Sequence, residues 1–246
     1  MAITSPKTAG VIIIGNEILS GKVQDTNSSF LAKELRTLGV DLMRISVIPD
    51  NVEAIGREVW DFSRTYDYVF TTGGVGPTHD DVTMEGIAEG FKVKIIQHPE
   101  LIAYFRLHYH NRLNAAVMKM TEVPEGAEII EVGERGLPIV AYRNIFIFPG
   151  IPQYLTEKFT AIQERFRAPA VYLRRLFLNA QESDIAAILN TIVAANINVT
   201  FGSYPVIENS QYKIIITAES RSHDLLDTAF HELLKKLSKE IVIRAE

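Results

Sequence analysis

The stretch with the most chemical potential is Thr71-Thr72-Gly73-Gly74-Val75-Gly76-Pro77-Thr78-His79-Asp80-Asp81. Glycines lack a Cβ, so their backbone amides approach an anion closely and their φ angles reach positive values. A helix beginning just after such a bend adds its own unpaired amides, and together these make an anion site. Neither the Walker spacing nor the dinucleotide G-x-G-x-x-G spacing is present, which excludes the standard loops of ATPases and dehydrogenases. Two readings of Gly73, Gly74 and Gly76 therefore stand: a phosphate cradle, or only a tight strand-to-helix turn. Asp80 and Asp81 bear on the choice. Helix capping accounts for one of them, but adjacent carboxylates repel a bound phosphate unless a cation lies between. Oxygen-rich acidic pairs suit Mg²⁺ shared with substrate phosphates.

Other polar residues fall where such a ligand would lie. Glu17 directly follows a strand, as a crevice acid or an exposed loop acid. Asp25 and Asn27 stand where a helix begins and read equally as N-terminal residues. Asp50 and Glu53 have capping-box spacing, which by itself explains Asp50. Thr72 and Thr78 flank the glycines, and His79 is either a phosphate contact or solvated. His108 and His110 lie two apart on an expected helix, where side chains do not face each other, so a metal pair there is not expected.

The surrounding pattern says what positions these residues. Val11–Ile14 is a β-branched run ending in Gly15, which predicts a buried strand. A helix follows with Phe30, Leu31, Leu35 and Leu38 on one face and Gly39 as its stop. Leu42–Ile48 predicts a second strand, and Val52, Ile55, Val59 and Phe62 mark the next helix. Tyr68–Thr72 predicts a third strand, with a helix from about Asp81–Thr83 to a stop at Gly90. Lys92–Ile96 reads as a strand and Pro99 opens a helix to about Leu113. Strands are expected at Glu128–Val132, Ile139–Tyr142 and Asn144–Phe148, and a helix at Gln153–Phe166. This order argues for an α/β fold, a three-layer, mostly parallel sheet with helices on both faces. Ligands of such sheets bind beyond the carboxyl ends of the strands, where all the candidate residues sit.

Ala168-Pro169 is the expected boundary, giving an α/β domain over 1–169 and a small α+β domain over 170–246. In the second, strands are expected at Leu173–Leu178, Thr200–Tyr204, Lys213–Ala218 and Glu240–Arg244, with helices at Ser183–Ala195 and Asp224–Ser238.

Composition narrows the function classes. The 246 residues include 25 basic and 30 acidic ones, a net charge of −5 with no basic run, so no nucleic-acid partner is expected. Cysteine is absent, which excludes disulfides, thiolate catalysis and thiolate metal sites and fits a cytoplasmic location. No apolar run approaches the length of a signal peptide core or membrane span, so no membrane association is expected.

Taken together, Gly15-Asn16-Glu17-Ile18-Leu19-Ser20-Gly21, Asp25-Thr26-Asn27, Thr71–Asp81 and Phe148-Pro149-Gly150-Ile151-Pro152 resemble the molybdopterin-binding (MoaB/Mog-like) domain. The resemblance is to the branch found in the N-terminal halves of CinA and of eukaryotic FAD synthase. Gly202-Ser203-Tyr204-Pro205 and Tyr212–Thr217 look like that branch's small second domain. The resemblance implies a pocket at these loops and function for the acids at Asp50 and Asp81. In this branch it implies hydrolysis of FAD or ADP-ribose at the diphosphate with a divalent metal (Mg, Mn or Co). Glu17, Asp80 and Asp81 are then the expected catalytic residues and metal ligands. Asp25, Asn27, Asp50, Thr72, Gly73, Gly74, Gly76, Thr78 and His79 are the expected contacts to a nucleotide or pterin ligand. Asn16 stands where many relatives have an acid or threonine, Val75 where dedicated pterin enzymes have threonine, and His79 where other branches have a basic residue. The chain carries neither an amidase half nor a nucleotidyl-transfer half, so FAD synthesis and nicotinamide-mononucleotide deamidation are not expected. The alternatives are a molybdopterin-binding protein of cofactor metabolism and a non-catalytic nucleotide-binding module. A homodimer is compatible with the resemblance.

Overall fold

The computed structural model describes residues 6–109, 113–133, 136–207, 209 and 211–246. Contacts divide the chain into two compact units, Met1–Ala168 and Pro169–Glu246.

The first unit is built on a six-stranded sheet, in the order β2-β1-β3-β8-β7-β6. The strands are β1 (Thr8–Ile14), β2 (Asp41–Ile48), β3 (Tyr68–Thr72), β6 (Glu128–Val132), β7 (Gly136–Tyr142) and β8 (Ile145–Phe148). β2, β1, β3 and β8 run parallel, while β7 and β6 add an antiparallel edge. Alternate side chains of one strand serve opposite cores, because successive residues point to opposite faces. Val11 and Ile13 pack with α2 (Asn27–Thr37) and α7 (Pro152–Ile162). Ile12 and Ile14 pack with α3 (Val52–Thr65), α4 (Thr83–Phe91) and α5 (Pro99–Tyr109). Three layers result, as the apolar runs require.

Four local expectations need correction. α3 is capped by Asn51, whose Oδ1 accepts from the Ala54 amide at 2.9 Å, so the Asp50/Glu53 capping box does not form. α4 does not stop at Gly90 but at Lys92, which takes the left-handed conformation (φ 57°). The strand expected at Lys92–Ile96 is a short β4 (Ile95–Gln97) paired with β5 (Glu122–Pro124) in a two-stranded sheet apart from the main one. The helix expected to Phe166 ends at Ile162 and tightens into a 3-10 turn over Gln163–Phe166. Two short helices, α1 (Asn16–Leu19) and α6 (Ala115–Lys119), lay below the reach of sequence periodicity. His108 stacks on Tyr104, and His110 lies outside the described residues.

The second unit runs β9 (Tyr172–Leu178), α8 (Glu182–Ala195), β10 (Thr200–Pro205), β11 (Ile214–Ser220), α9 (His223–Lys236) and β12 (Val242–Ala245). Its antiparallel sheet has the order β10-β11-β9-β12, the split β-α-β arrangement. Leu176, Leu178, Ile214, Ile216 and Ala218 face Ile185, Ile192, Leu226, Phe230 and Leu233 in a core of its own. Among the described residues no helix is long and apolar enough to cross a membrane.

Candidate functional site

The carboxyl ends of β1, β3 and β8 meet at Gly73. Its amide donates to Phe148 O at 3.2 Å, and its φ of +104° is one that side chains rarely tolerate. A Cβ there would stand 2.0 Å from Ile14 O, and one on Gly150 would touch Gly73 Cα at 3.3 Å. Three loops thus cross at contact distance, and only glycine permits it. Gly74 follows with φ +62°. Thr83, the first residue of α4, fastens the turn: its Oγ1 donates to Gly73 O (2.8 Å) and its amide to Gly74 O (3.0 Å). The amides of Gly74, Val75 and Gly76 meet no protein acceptor among the described residues. Among the described residues no side chain caps the start of α4 or that of α7, which follows β8 after a short turn.

Asn27 ties the same loops from the other layer. Buried at the start of α2, it donates through Nδ2 to Thr72 Oγ1 (3.0 Å) and Gly150 O (2.8 Å). Thr72 in turn donates to Pro149 O at 2.9 Å. The Asn27 Oδ1 acceptor has no protein partner among the described residues. Asn27 and Thr72 are therefore brought together as a latch beneath the crevice. Asp25 accepts from both the amide (3.0 Å) and the hydroxyl of Ser28, the helix-terminal use that the sequence left open. Asp50, freed from capping, accepts from the Asn16 amide at 2.7 Å and so joins the end of β2 to the loop after β1.

The acids gather around Thr78. Its hydroxyl lies 2.5 Å from both Asp80 Oδ1 and Asp81 Oδ2, and its amide donates to Asp81 Oδ2 at 2.8 Å. A Cβ on Gly76 would lie 2.6 Å from that same Asp81 oxygen, so the missing side chain lets the carboxylate fold over the loop. A hydroxyl has one proton to give, so the two carboxylates compete for that one hydroxyl proton. The Thr78 hydroxyl is also the main cause that holds Asp80 below the usual carboxylate range, followed by its own amide, with smaller help from His79 and Lys119. His79 is almost wholly exposed, 3.8 Å from Asp80.

The expected metal set does not close around all three acids. Glu17 is exposed and its carboxylate curls over Gly15, where an added Cβ would be 2.6 Å from Glu17 Oε1. Among the described residues no three Asp, Glu, His or Cys side chains stand ready around one ion. The physical reason is that Asp80 and Asp81 turn inward onto Thr78 while Glu17 turns onto its own loop. The Asp80/Asp81 pair still fits Mg²⁺-like chemistry, which typically takes one or two carboxylates and leaves the other positions to water and substrate phosphates.

Sequence reasoning missed Lys119. Its ammonium donates to Thr78 O (2.7 Å) and Asp81 O (2.8 Å) and lies 3.9 Å from Glu85 Oε1. It comes 38 residues after Asp81, so no local pattern signals it.

Fold and site together define an open, mostly parallel α/β protein with its glycine turn, helix starts and acids gathered at the carboxyl edge of the sheet. Residues 10–168 match the family described as "Probable molybdopterin binding domain", and the chain belongs to it. Residues 170–246 match the family described as "FAD synthase, middle domain". A protein of Archaeoglobus fulgidus is 38% identical over 79% of this chain and 84% of its own length. A probable FAD synthase of Caenorhabditis elegans is 32% identical over 96% of this chain, which spans only 51% of that relative. Among solved structures, the protein CinA of Thermoplasma acidophilum, titled as of unknown function, superposes with a TM-score of 0.61 at 28% identity. That similarity covers 66% of this chain and 100% of the other.

Proposed function

We propose that this chain hydrolyses the diphosphate of a nucleotide such as FAD or ADP-ribose, using a divalent cation, at the crevice formed by the ends of β1, β3 and β8. The observation that carries this reading is the turn Gly74–Asp81, where amides without protein acceptors among the described residues stand beside two carboxylates that compete for one hydroxyl proton. The Gly74, Val75 and Gly76 amides bind phosphate oxygens and stabilise the charge that grows on them. Asp80, whose carboxyl the Thr78 hydroxyl holds below its usual range, and Asp81 provide the oxygen ligands for the cation. When bound, the cation supplies Lewis-acid polarisation of phosphorus and an acidified water. Asn27, Thr72 and Asp50 hold the loops in register, and Glu17 is the acid available to complete the set once it leaves Gly15. The relatives named probable FAD synthases support a nucleotide as the ligand.

Purified protein incubated with FAD or ADP-ribose and Mg²⁺, Mn²⁺ or Co²⁺ is expected to release AMP. Asp81→Asn is expected to lose about 10²-fold or more of that rate, the scale of removing one electrostatic stabiliser of the transition state. Folded protein that yields no AMP with any of the metals would falsify the reading.

The family description favours a second reading, a molybdopterin-binding protein. Calorimetric titration separates the two: a pterin-binding protein takes up molybdopterin without nucleotide, whereas the diphosphate hydrolase does not. A non-catalytic module would bind nucleotide and leave it intact.

A further inference from the structure

We propose that Lys119 is a positioning residue of this site, whose ammonium clamps the segment Thr78–Asp81 into the shape that holds Asp80 and Asp81 together beside the glycine loop; the proposal rests on the reading of the turn as a cation and phosphate site.

The clamp is anchored. Lys119 is the last residue of α6, whose start is capped by Asn114 Oδ1 accepting from the Val117 amide at 2.9 Å. Just beyond it, the fully buried Thr121 donates through Oγ1 to Met118 O (2.7 Å), and its carbonyl receives the His98 amide (2.8 Å). Val117 and Met120 pack against the core on that face of the sheet. The Lys119 backbone therefore sits on a fixed support that is not part of the turn.

The clamp is also specific. Lys119 Nζ joins the carbonyls of Thr78 and Asp81, the ends of the acid-bearing segment Thr78–Asp81, while Thr78 closes the same segment from within through the Asp81 carboxylate. In a trans peptide the carbonyl of one residue points opposite to the amide of the next. Drawing Thr78 O and Asp81 O onto Lys119 turns the His79 and Val82 amides to the other side. Two peptide planes beside the acids are set by one side chain. The Lys119 side chain is mostly buried (27% exposed), and its distance from Glu85 (3.9 Å) leaves the two carbonyls as its close partners.

Charge alone and positioning make opposite predictions. Removing a positive charge next to a cation site, with nothing else changed, tightens cation binding. Removing a clamp loosens it. Lys119→Met and Lys119→Arg are compared with the parent chain in two measurements: amide exchange of Thr78, His79 and Val82 by NMR in metal-free protein, and Mn²⁺ titration followed by electron paramagnetic resonance. Positioning predicts that Lys119→Met speeds Thr78 amide exchange by about tenfold or more, as expected when a local closing contact is lost. It also predicts Mn²⁺ affinity weaker by about 10–100-fold, the effect of losing an outer support of a ligand. Lys119→Arg, which keeps the charge and can still reach both carbonyls, is expected to restore most of both. Unchanged exchange in Lys119→Met, or unchanged or tighter Mn²⁺ binding by that variant, overturns the proposal. If the parent chain binds no Mn²⁺, the cation reading fails separately, and the exchange measurement alone still decides whether Lys119 shapes the turn.

Discussion

An ammonium buried without a carboxylate against it is costly, and among the described residues Lys158 on α7 is such a group. It is 7% exposed and donates to the carbonyls of Leu137 and Pro138. Burial pushes its pKa from 10.5 down to about 8, with Glu157 pulling weakly the other way. Between these values the unfolded chain still holds a proton that the folded chain has released, so stability rises with pH across that window. The drop from 10.5 to about 8 corresponds to roughly 3 kcal/mol, absent below pH 8 and fully present above about 10.5. Urea unfolding of the parent and of Lys158→Met at pH 7, 8, 9 and 10 is expected to show that rise only in the parent; parallel curves would contradict it. Sequence alone gave no sign of this burial, because a lysine on an amphipathic helix ordinarily keeps its head in water. The crevice residues divide in the same way. The glycines and the acid pair were readable from type and spacing. The work of Asn27, Asp50 and Lys119 was not, since each acts on a partner tens of residues away.

Among the elements, the crossing of α3 and α4 shows how a composition signal can be read correctly as glycine and wrongly as punctuation. Gly90 looked like a helix stop. It lies instead inside α4, where an added Cβ would be 2.4 Å from Gly56 O, while one on Gly86 would strike Ile55 at 2.5 Å. The helix axes approach so closely that backbone meets backbone. Gly90→Ala is therefore expected to destabilise by about 1–3 kcal/mol, the cost of forcing extra volume into a packed contact. Calorimetry would register it as a melting temperature lower by several degrees; an unchanged melting temperature would mean that the helices separate freely. The strands of the main sheet were legible because their apolar runs are bounded by Gly or Pro, and those of β1, β3 and β8 are buried on both faces. β4, β5, α1 and α6 are three to five residues each, too short for a period to show.

For the molecule as a whole, each unit encloses its own core: α7 and Phe166 close one side of the large sheet, and Leu178, Ile214 and Leu233 belong to the small one. Because the apolar faces of β9, β11, α8 and α9 are satisfied among themselves, residues 169–246 expressed alone are expected to fold. Dispersed amide signals and a cooperative melt would show it, and a collapsed spectrum would show that the small unit depends on the large one. The run of apolar and glycine residues by itself determined the class of fold and its layers, since periodicity and bend chemistry act between near neighbours, and the resemblance of the loop motifs gave the family. Which side chains complete the carboxyl edge of the sheet was decided only by the tertiary structure. The meeting of β1, β3 and β8 places Asn27 against Gly150, and α6 brings Lys119 to Thr78 and Asp81. Such contacts follow from how the chain returns in space, which spacing along it does not encode.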